Sequence, residues 1–554
     1  MDSCLRRNDK VIKQLNTNLL PSEAYDDKLI QSKIKKELKL KVSPGEINFK
    51  KLKLSLDARG KFPVYRMQVE VYVNEAPPEE KIISSKYVHV KNNKSVAIIG
   101  AGPAGYFAAL ELIENGIKPV IFDRGKDART RRKDLRAIQQ FNEVNPDSNY
   151  CFGEGGAGTY SDGKLYTRSD KRGDVNKVLK ILVEHGSKDD ILYEAHPHIG
   201  SNKLPGIVQN IRKTILKYGG EVHFDSKLTD ITIQNNKIKS VIINNKNEFD
   251  SDNIILATGH SARDIFYLLH GKNILVEAKP FAIGVRIEHP QQLIDFIQYK
   301  QKPRDENLPA SSYKLVSHAS GRGVFSFCMC PGGLIVPSAT APGEIVVNGM
   351  SMSRRDSKYA NSGIVVQINL EDLTGNLFKE IKNLYSEHNK SDYFNEHFSK
   401  KLNTKNILCG LEFQKSLEQL FFLNNTAGTQ EAPAQKITDF VNHIVSSKLN
   451  GTSYIPGIYS SDFDNLFPEF IKEGLRKSLI DFGQKMKGYY TDEAQIIGIE
   501  SRTSSPVKIP RDKLSYEHVE VSGLYPCGEG AGYAGGIVSA AIDGQNVAKA
   551  IIKN

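Results

Sequence analysis

The stretch at 95–124, SVAIIGAGPAGYFAALELIENGIKPVIFDR, restricts this chain more than any other. Val96, Ala97, Ile98 and Ile99 form a short apolar run, the mark of a strand buried on both faces. Gly100-Ala101-Gly102-Pro103-Ala104-Gly105 follows at once, and 106–115 reads as a helix with Phe107, Leu110, Leu112 and Ile113 apolar. A second strand, 119–122, runs into Asp123. Gly100 allows the tight turn, Gly102 lets a pyrophosphate approach the backbone, and Gly105 lets the helix pack on the strand. Unpaired N–H groups and the positive dipole end at the helix start favour phosphate. Asp123 stands 23 positions after Gly100, where an acid accepts hydrogen bonds from an adenosine ribose. A lone GxGxxG is a weak signal. With both strands, the helix and the acid in place it predicts a dinucleotide-binding βαβ unit.

The rest of the 554 residues leaves room for two to four domains. No apolar run approaches the roughly 18 residues of a spanning helix, so no membrane span is expected. The N-terminus MDSCLRRNDKVIKQLN lacks the apolar centre of a signal peptide, and a cytoplasmic location is the expectation. Six cysteines (Cys4, Cys151, Cys328, Cys330, Cys409 and Cys527) are too few for a disulfide framework. Cys328-Met329-Cys330 lacks a partner pair at zinc spacing, and no metal site is expected. As alternate residues of a strand its two thiols would share a face. The net charge of +11 is concentrated at the start, where 1–94 holds 20 Lys+Arg against 12 Asp+Glu.

Residues 1–90 read as a separate basic βαββ domain: strand 11–15, helix 26–40, and alternating strands 48–56 and 65–73, ending in a proline-rich connection at 76–80. Residues 94–272 open the nucleotide-binding domain, with an irregular glycine-rich segment at 125–175, a helix at 204–218, a β-meander at 228–249 and a buried strand running into Thr258-Gly259. Residues 275–485 read as an inserted α+β substrate or cap domain, and 488–554 return to the nucleotide-binding domain.

Three further segments carry chemistry. The loop 151–165 repeats GxGxxG without a preceding apolar strand, so it reads as backbone brought close to something flat or anionic. Ile254 to Gly259 resembles the ATG turn of two-dinucleotide flavoproteins. The run from Gly523 to Ile537, with a helix after it, resembles their C-terminal FAD motif, with Glu529 where Asp is commoner. In this order the segments resemble the FAD-binding fold of the glutathione-reductase superfamily. The strings FGEGGAGTYSDGKL, FCMCPGG, ESRTSSPV and YPCGEGAGYAGGIVSAAIDG resemble, more closely, a bacterial family of FAD-dependent dehydrogenases of uncharacterised substrate.

The resemblance implies an α/β architecture, in which a Rossmann-like FAD-binding domain carries the inserted α+β domain and the leader. It implies cofactor contacts at Gly100, Gly102, Pro103, Ala104, Gly105, Asp123 and Arg124. Gly155, Gly156, Leu228, Thr258 and Gly259 extend the set, and Gly528, Glu529, Gly535, Gly536 and Ile537 complete it. Glu529 is expected on the ribityl hydroxyls, and the terminal helix is expected to aim at the flavin. Arg502, Lys164, Cys328 and Cys330 are the candidates over the ring, Arg502 also reading as a structural ion pair. No second GxGxxG follows a buried strand, so NADH or NADPH would dock only transiently as electron donor. No CxxxxC pair follows the first helix, which argues against a disulfide reductase. The function expected is an FAD-dependent oxidoreductase moving hydride through the flavin to or from a small substrate. The alternatives are an RNA-associated or tRNA-modifying flavoprotein using the basic leader, and a non-catalytic flavin-bound module.

Overall fold

The computed structural model describes residues 11–78, 82–167 and 172–553. Cys4, the end of the 76–80 connection and 168–171 of the glycine-rich segment lie outside the described residues.

The fingerprint folds as strand Lys91–Ile99, helix Pro103–Glu114 and strand Ile117–Phe122. These strands sit in a five-stranded sheet in the order Leu524–Pro526, Ile254–Leu256, Lys91–Ile99, Ile117–Phe122, Glu221–His223, with every neighbouring pair parallel. The alternation within the apolar run sorts the layers. Val96 and Ile98 pack with helix Pro103–Glu114 and the terminal helix Ile537–Lys553. Ala97 and Ile99 pack with the meander, strands Leu228–Gln234, Lys237–Ile243 and Asn247–Asp250. A sheet covered on both faces needs such unbroken apolar strands. A Cβ on Gly105 would overlap the Gly100 carbonyl, and one on Gly544 would overlap the Ala104 carbonyl, so bare backbone sets both helix contacts.

Residues 275–485 supply most of a second, seven-stranded sheet. Its order is Val316–Ala319, Arg322–Cys330, Tyr359–Ile368, Phe281–Pro290, Gln495–Glu500, Ala432–Lys436, Ile458–Ser460. The strand Gln495–Glu500 pairs here with Phe281–Pro290 and Ala432–Lys436, past the expected boundary at 488. All six of its residues are buried, and only this sheet offers it two antiparallel neighbours. The chain rejoins the parallel sheet at Leu524. The glycine-rich segment also contains a helix, Arg131–Gln140, where the sequence suggests irregular structure; it buries Arg131, Leu135 and Ile138 on one face.

The leader is a three-stranded antiparallel sheet, with Val64–Val73 between Val11–Leu19 and Ile47–Asp57. Helix Asp27–Glu37 is capped by Asp26, whose carboxylate accepts from the amides of Lys28 and Leu29. It buries Ile30 and Ile34 in a core with Met67, Val69 and Val71. Tyr299 and Leu308 of the inserted region join that core. The amide of Leu54 donates to the Tyr193 carbonyl at 2.7 Å, and that of Ala195 to the Leu54 carbonyl at 2.8 Å. Among the described residues, no helix is long and apolar enough to cross a membrane, and no group of His, Cys, Asp and Glu could hold a metal ion.

Candidate active site and cofactor cleft

The carboxyl ends of the parallel strands open onto one cavity, to whose far wall the second sheet contributes Phe327, Cys328 and Cys330. Open parallel sheets bind ligands at that edge. Of the residues expected at the cofactor, Gly100, Gly102, Pro103, Ala104, Asp123, Arg124, Gly156, Leu228, Thr258 and Gly259 line it. Gly528, Glu529, Gly535, Gly536 and Ile537 do so as well. Gly105 and Gly155 do not; the first is taken up by helix packing, and the second hydrogen-bonds through its amide to the Ala101 carbonyl at 2.8 Å.

At the fingerprint end, helix Pro103–Glu114 starts without a side-chain cap, and a Cβ on Gly102 would find nothing within 4 Å. Free amides thus face open space. Asp123 is buried, accepting from the Ala101 amide through one oxygen and the Gly125 amide through the other, each at 2.8 Å. It braces the turn and keeps further lone pairs for hydroxyl donors. Gly156 folds over Gly102 with φ of 60°. Arg131, fully buried, holds this second loop by its carbonyls: Nη1 donates to Gly156 at 2.9 Å and Glu154 at 3.0 Å, and Nε to Asn149 at 2.7 Å. Turning carbonyls inward to the guanidinium suits a cradle for an anion. Burial raises the Glu154 carboxyl pKa, against a hydrogen bond from the Ala128 amide and the Arg212 charge. These features fit the pyrophosphate of a dinucleotide.

At the other end stand Lys164, Phe327, Cys328, Cys330, Asn348 and Arg502. The two thiols do not share a face. The register with Tyr359–Ile368 slips between Phe327 and Cys330, Cys328 has φ of 43°, and Cys328 is exposed while Cys330 is buried. Buried Arg286 explains the bulge: it donates to the Cys328 carbonyl at 2.7 Å while paired with Glu500 at 2.8 Å. Burial pushes the Cys330 thiol up to about 11, so it is not held as a thiolate. The Lys164 ammonium donates to the Met329 carbonyl and lies 3.9 Å from Asp162. Burial raises the Asp162 carboxyl, but Lys164 and Arg355 outweigh it and hold it at about 2.

The Arg502 guanidinium is committed. Nη2 meets Glu344 at 2.8 Å and Glu418 at 2.9 Å, and Nη1 donates to the Thr340 hydroxyl. Arg263, near the start of helix Arg263–Gly271, pairs with the same two carboxylates at 3.0 and 2.7 Å. The arrangement joins the parallel sheet's flank to the second sheet, so Arg502 acts as a structural ion pair. Its carbonyl accepts from His260 Nε2 at 3.1 Å, while His260 Nδ1 lies 3.3 Å from Glu529 Oε1. His260 lines the cavity, and sequence reasoning missed it. Its position directly after Thr258-Gly259, at a strand's carboxyl end, is the signal that points to it. Glu529 is therefore engaged by an imidazole on one oxygen.

Residues 280–503 match the family described as FAD-dependent protein, C-terminal domain-like, and 94–309 match Pyridine nucleotide-disulphide oxidoreductase. Residues 11–72 match a domain of unknown function. An "Uncharacterized protein" of Clostridium beijerinckii is 39% identical over 525 residues, covering 91% of this chain and 92% of its own. Among solved structures, L-proline dehydrogenase from P. horikoshii aligns with 84% of this chain and 94% of its own, at 11% identity and a TM-score of 0.33. Glycine oxidase from Bacillus cereus aligns with 83% and 95%, at 11% identity and a TM-score of 0.29. Likenesses this low carry no argument about the reaction. The two flavoprotein matches and the near full-length relative agree with the cradle and the motifs: the chain belongs to a bacterial family of FAD-dependent dehydrogenases with a glutathione-reductase-type FAD-binding domain, and is an FAD-dependent oxidoreductase.

Proposed function

We propose that this oxidoreductase moves a hydride between a small substrate and FAD held along the cavity. The ADP half would be held by the amides of Gly102 and Ala104, by Asp123 and by the Gly156 loop. The flavin half would be held by Thr258-Gly259, Gly528-Glu529 and the open turn Gly535-Gly536. When bound, the flavin supplies the two-electron chemistry. The chain's residues bind it, exclude water and shape the place where the substrate meets it.

The observation that carries this reading is the continuity of the cavity from the fingerprint cradle to the wall of Lys164, Phe327 and Cys328. The first wall belongs to the nucleotide-binding sheet; of the second, Phe327 and Cys328 belong to the inserted region and Lys164 to the glycine-rich segment. We assign 94–272 and the chain from Leu524 onward to one FAD domain, and the seven-stranded sheet to a substrate-bearing insertion. NADH or NADPH would reach the flavin only transiently.

Anaerobic stopped-flow of the flavin absorbance tests this, using NADH, NADPH and a panel of unsaturated, hydroxylated and amino substrates. Reduction or reoxidation faster than by oxygen alone is expected with one of them. A protein that purifies yellow and releases FAD on denaturation is expected too; release of FMN, or no flavin after reconstitution, would refute the assignment.

A further inference from the structure

At the end of the cavity away from the fingerprint, the charges do not balance. Lys164 lines the cavity with its side chain 36% exposed. Its ammonium carries three hydrogens. One goes to the Met329 carbonyl, a neutral acceptor, and Asp162 at 3.9 Å is beyond hydrogen-bond reach. The Asp162 carboxylate is already taken. Arg355 donates to its Oδ1 from Nε at 3.0 Å and to its Oδ2 from Nη2, and the Ser351 hydroxyl donates to Oδ1. One carboxylate thus serves two cations. His198, in electrostatic reach of both, is held neutral, its pKa lowered to about 4 by burial and by the Arg355 charge. Glu194 reaches Arg355 from the leader side but does not line the cavity.

A second donor stands at the same end. The Asn348 side-chain oxygen accepts from the Gly349 amide at 2.7 Å and from Arg286 Nη1 at 3.4 Å. Both partners are donors, so the oxygen must face them and the NH2 group is left over. Among the described residues that group has no acceptor, and Asn348 lines the cavity. Both side chains are tied to one bulge, Lys164 through the Met329 carbonyl and Asn348 through Arg286, which holds the Cys328 carbonyl. Phe327, just before that bulge, lines the cavity too.

We propose that Lys164 and Asn348 bind a carboxylate of the substrate, and that the substrate class is small organic acids whose apolar part lies along Phe327. The inference rests on the FAD reading above for its redox meaning, but not for the anion site itself. Drawing an ammonium partly out of water is costly, and an opposite charge offsets that cost. A carboxylate has two oxygens, one for each donor, and a single charge to match the one in excess.

Titrating benzoate, pyruvate and succinate, each beside its neutral amide, into the FAD-loaded protein tests this, with the flavin absorbance as the readout. At least one acid should perturb the spectrum saturably and bind about tenfold or more tightly than its amide. Lys164→Gln should weaken that acid about tenfold and leave the amide within about twofold, and Lys164→Arg should recover part of the loss. Asn348→Asp keeps an oxygen for Gly349 and Arg286 but sets a second one where the NH2 stood, so acid binding should be lost. Thermal melts check that each variant is folded. Acids that bind no tighter than their amides, or a Lys164→Gln protein that loses acid and amide alike, overturn the site. Inorganic phosphate binding as tightly as the best acid overturns the carboxylate class. If the parent takes up no FAD, the proposed function fails. Calorimetric titration of the same acids into the flavin-free protein, parent against Lys164→Gln, then decides the anion site: tighter binding by the parent supports it and equal binding overturns it.

Discussion

Gly536 is exposed, and a Cβ built there meets nothing within 4 Å. A valine at this position therefore has room in the protein and would be felt only by a ligand. Gly536→Val should leave thermal stability unchanged and weaken FAD at least tenfold in a fluorescence titration. A variant that binds FAD as tightly as the parent would place the cofactor away from this turn. Glu529→Ala is expected to loosen FAD too, because a charge-assisted hydrogen bond contributes roughly 1.5–3 kcal/mol. Positions of this kind are legible in a sequence: glycine is needed where a cofactor must approach backbone, and the motif spacing shows where. Cys328 was not legible in the same way. Strand alternation puts it beside Cys330, but a buried guanidinium pulling on its carbonyl turned it outward.

Among the elements, the fingerprint helix and the terminal helix touch through backbone. Gly544→Ala would drive a methyl into the Ala104 carbonyl, and both elements are buried, so neither has room to yield. A loss of about 2–3 kcal/mol in urea unfolding is expected, together with weaker FAD binding, since Ala104 lies in the first turn of the phosphate-facing helix. The leader's edge strand gives a second prediction. Glu194, bridged to Leu54, has its carboxyl raised to about 7 by burial and by the Asp190 charge. A raised carboxyl costs stability wherever the unfolded chain is ionised and the folded one resists, so the penalty is absent below about pH 4.5 and grows until about pH 7. Glu194→Gln should stabilise the protein by about 1–3 kcal/mol at pH 8 and have no effect at pH 4. A thermal-shift series across pH checks the sign.

On the scale of the molecule, four buried charges tie helix Arg263–Gly271, beside the parallel sheet, to helix Cys409–Leu423, Glu344 and Arg502. Burial raises the Glu418 carboxyl, yet Arg263 and Arg502 prevail and hold it at about 2. Its contribution is present above about pH 4.5 and disappears as pH falls toward 2. Glu418→Gln leaves two guanidiniums short of a counter-charge and should cost about 3–5 kcal/mol. It should also disturb FAD binding from a distance, since Arg502 positions His260. Unfolding curves and FAD titrations of this variant report the two effects separately. Unchanged FAD affinity in a destabilised protein would show that the lock does not reach the cleft.

The sequence by itself determined the parallel sheet, its fingerprint turn, the terminal FAD motif and the βαββ leader. Each of these is written in local signals, namely apolar period, glycine placement and an acid at fixed distance, which act within some thirty residues. Tertiary structure decided what depends on groups far apart in the chain. Gln495–Glu500 joined the second sheet because its pairing partners lie more than fifty residues upstream. Arg502 became a structural ion pair because Arg263, Glu344 and Glu418 converge on one buried point. His260 met Glu529 because two strand ends adjacent in the sheet carry residues 269 positions apart. Burial also sets these groups' charge states, by removing the water that would otherwise screen them, and no local pattern encodes that.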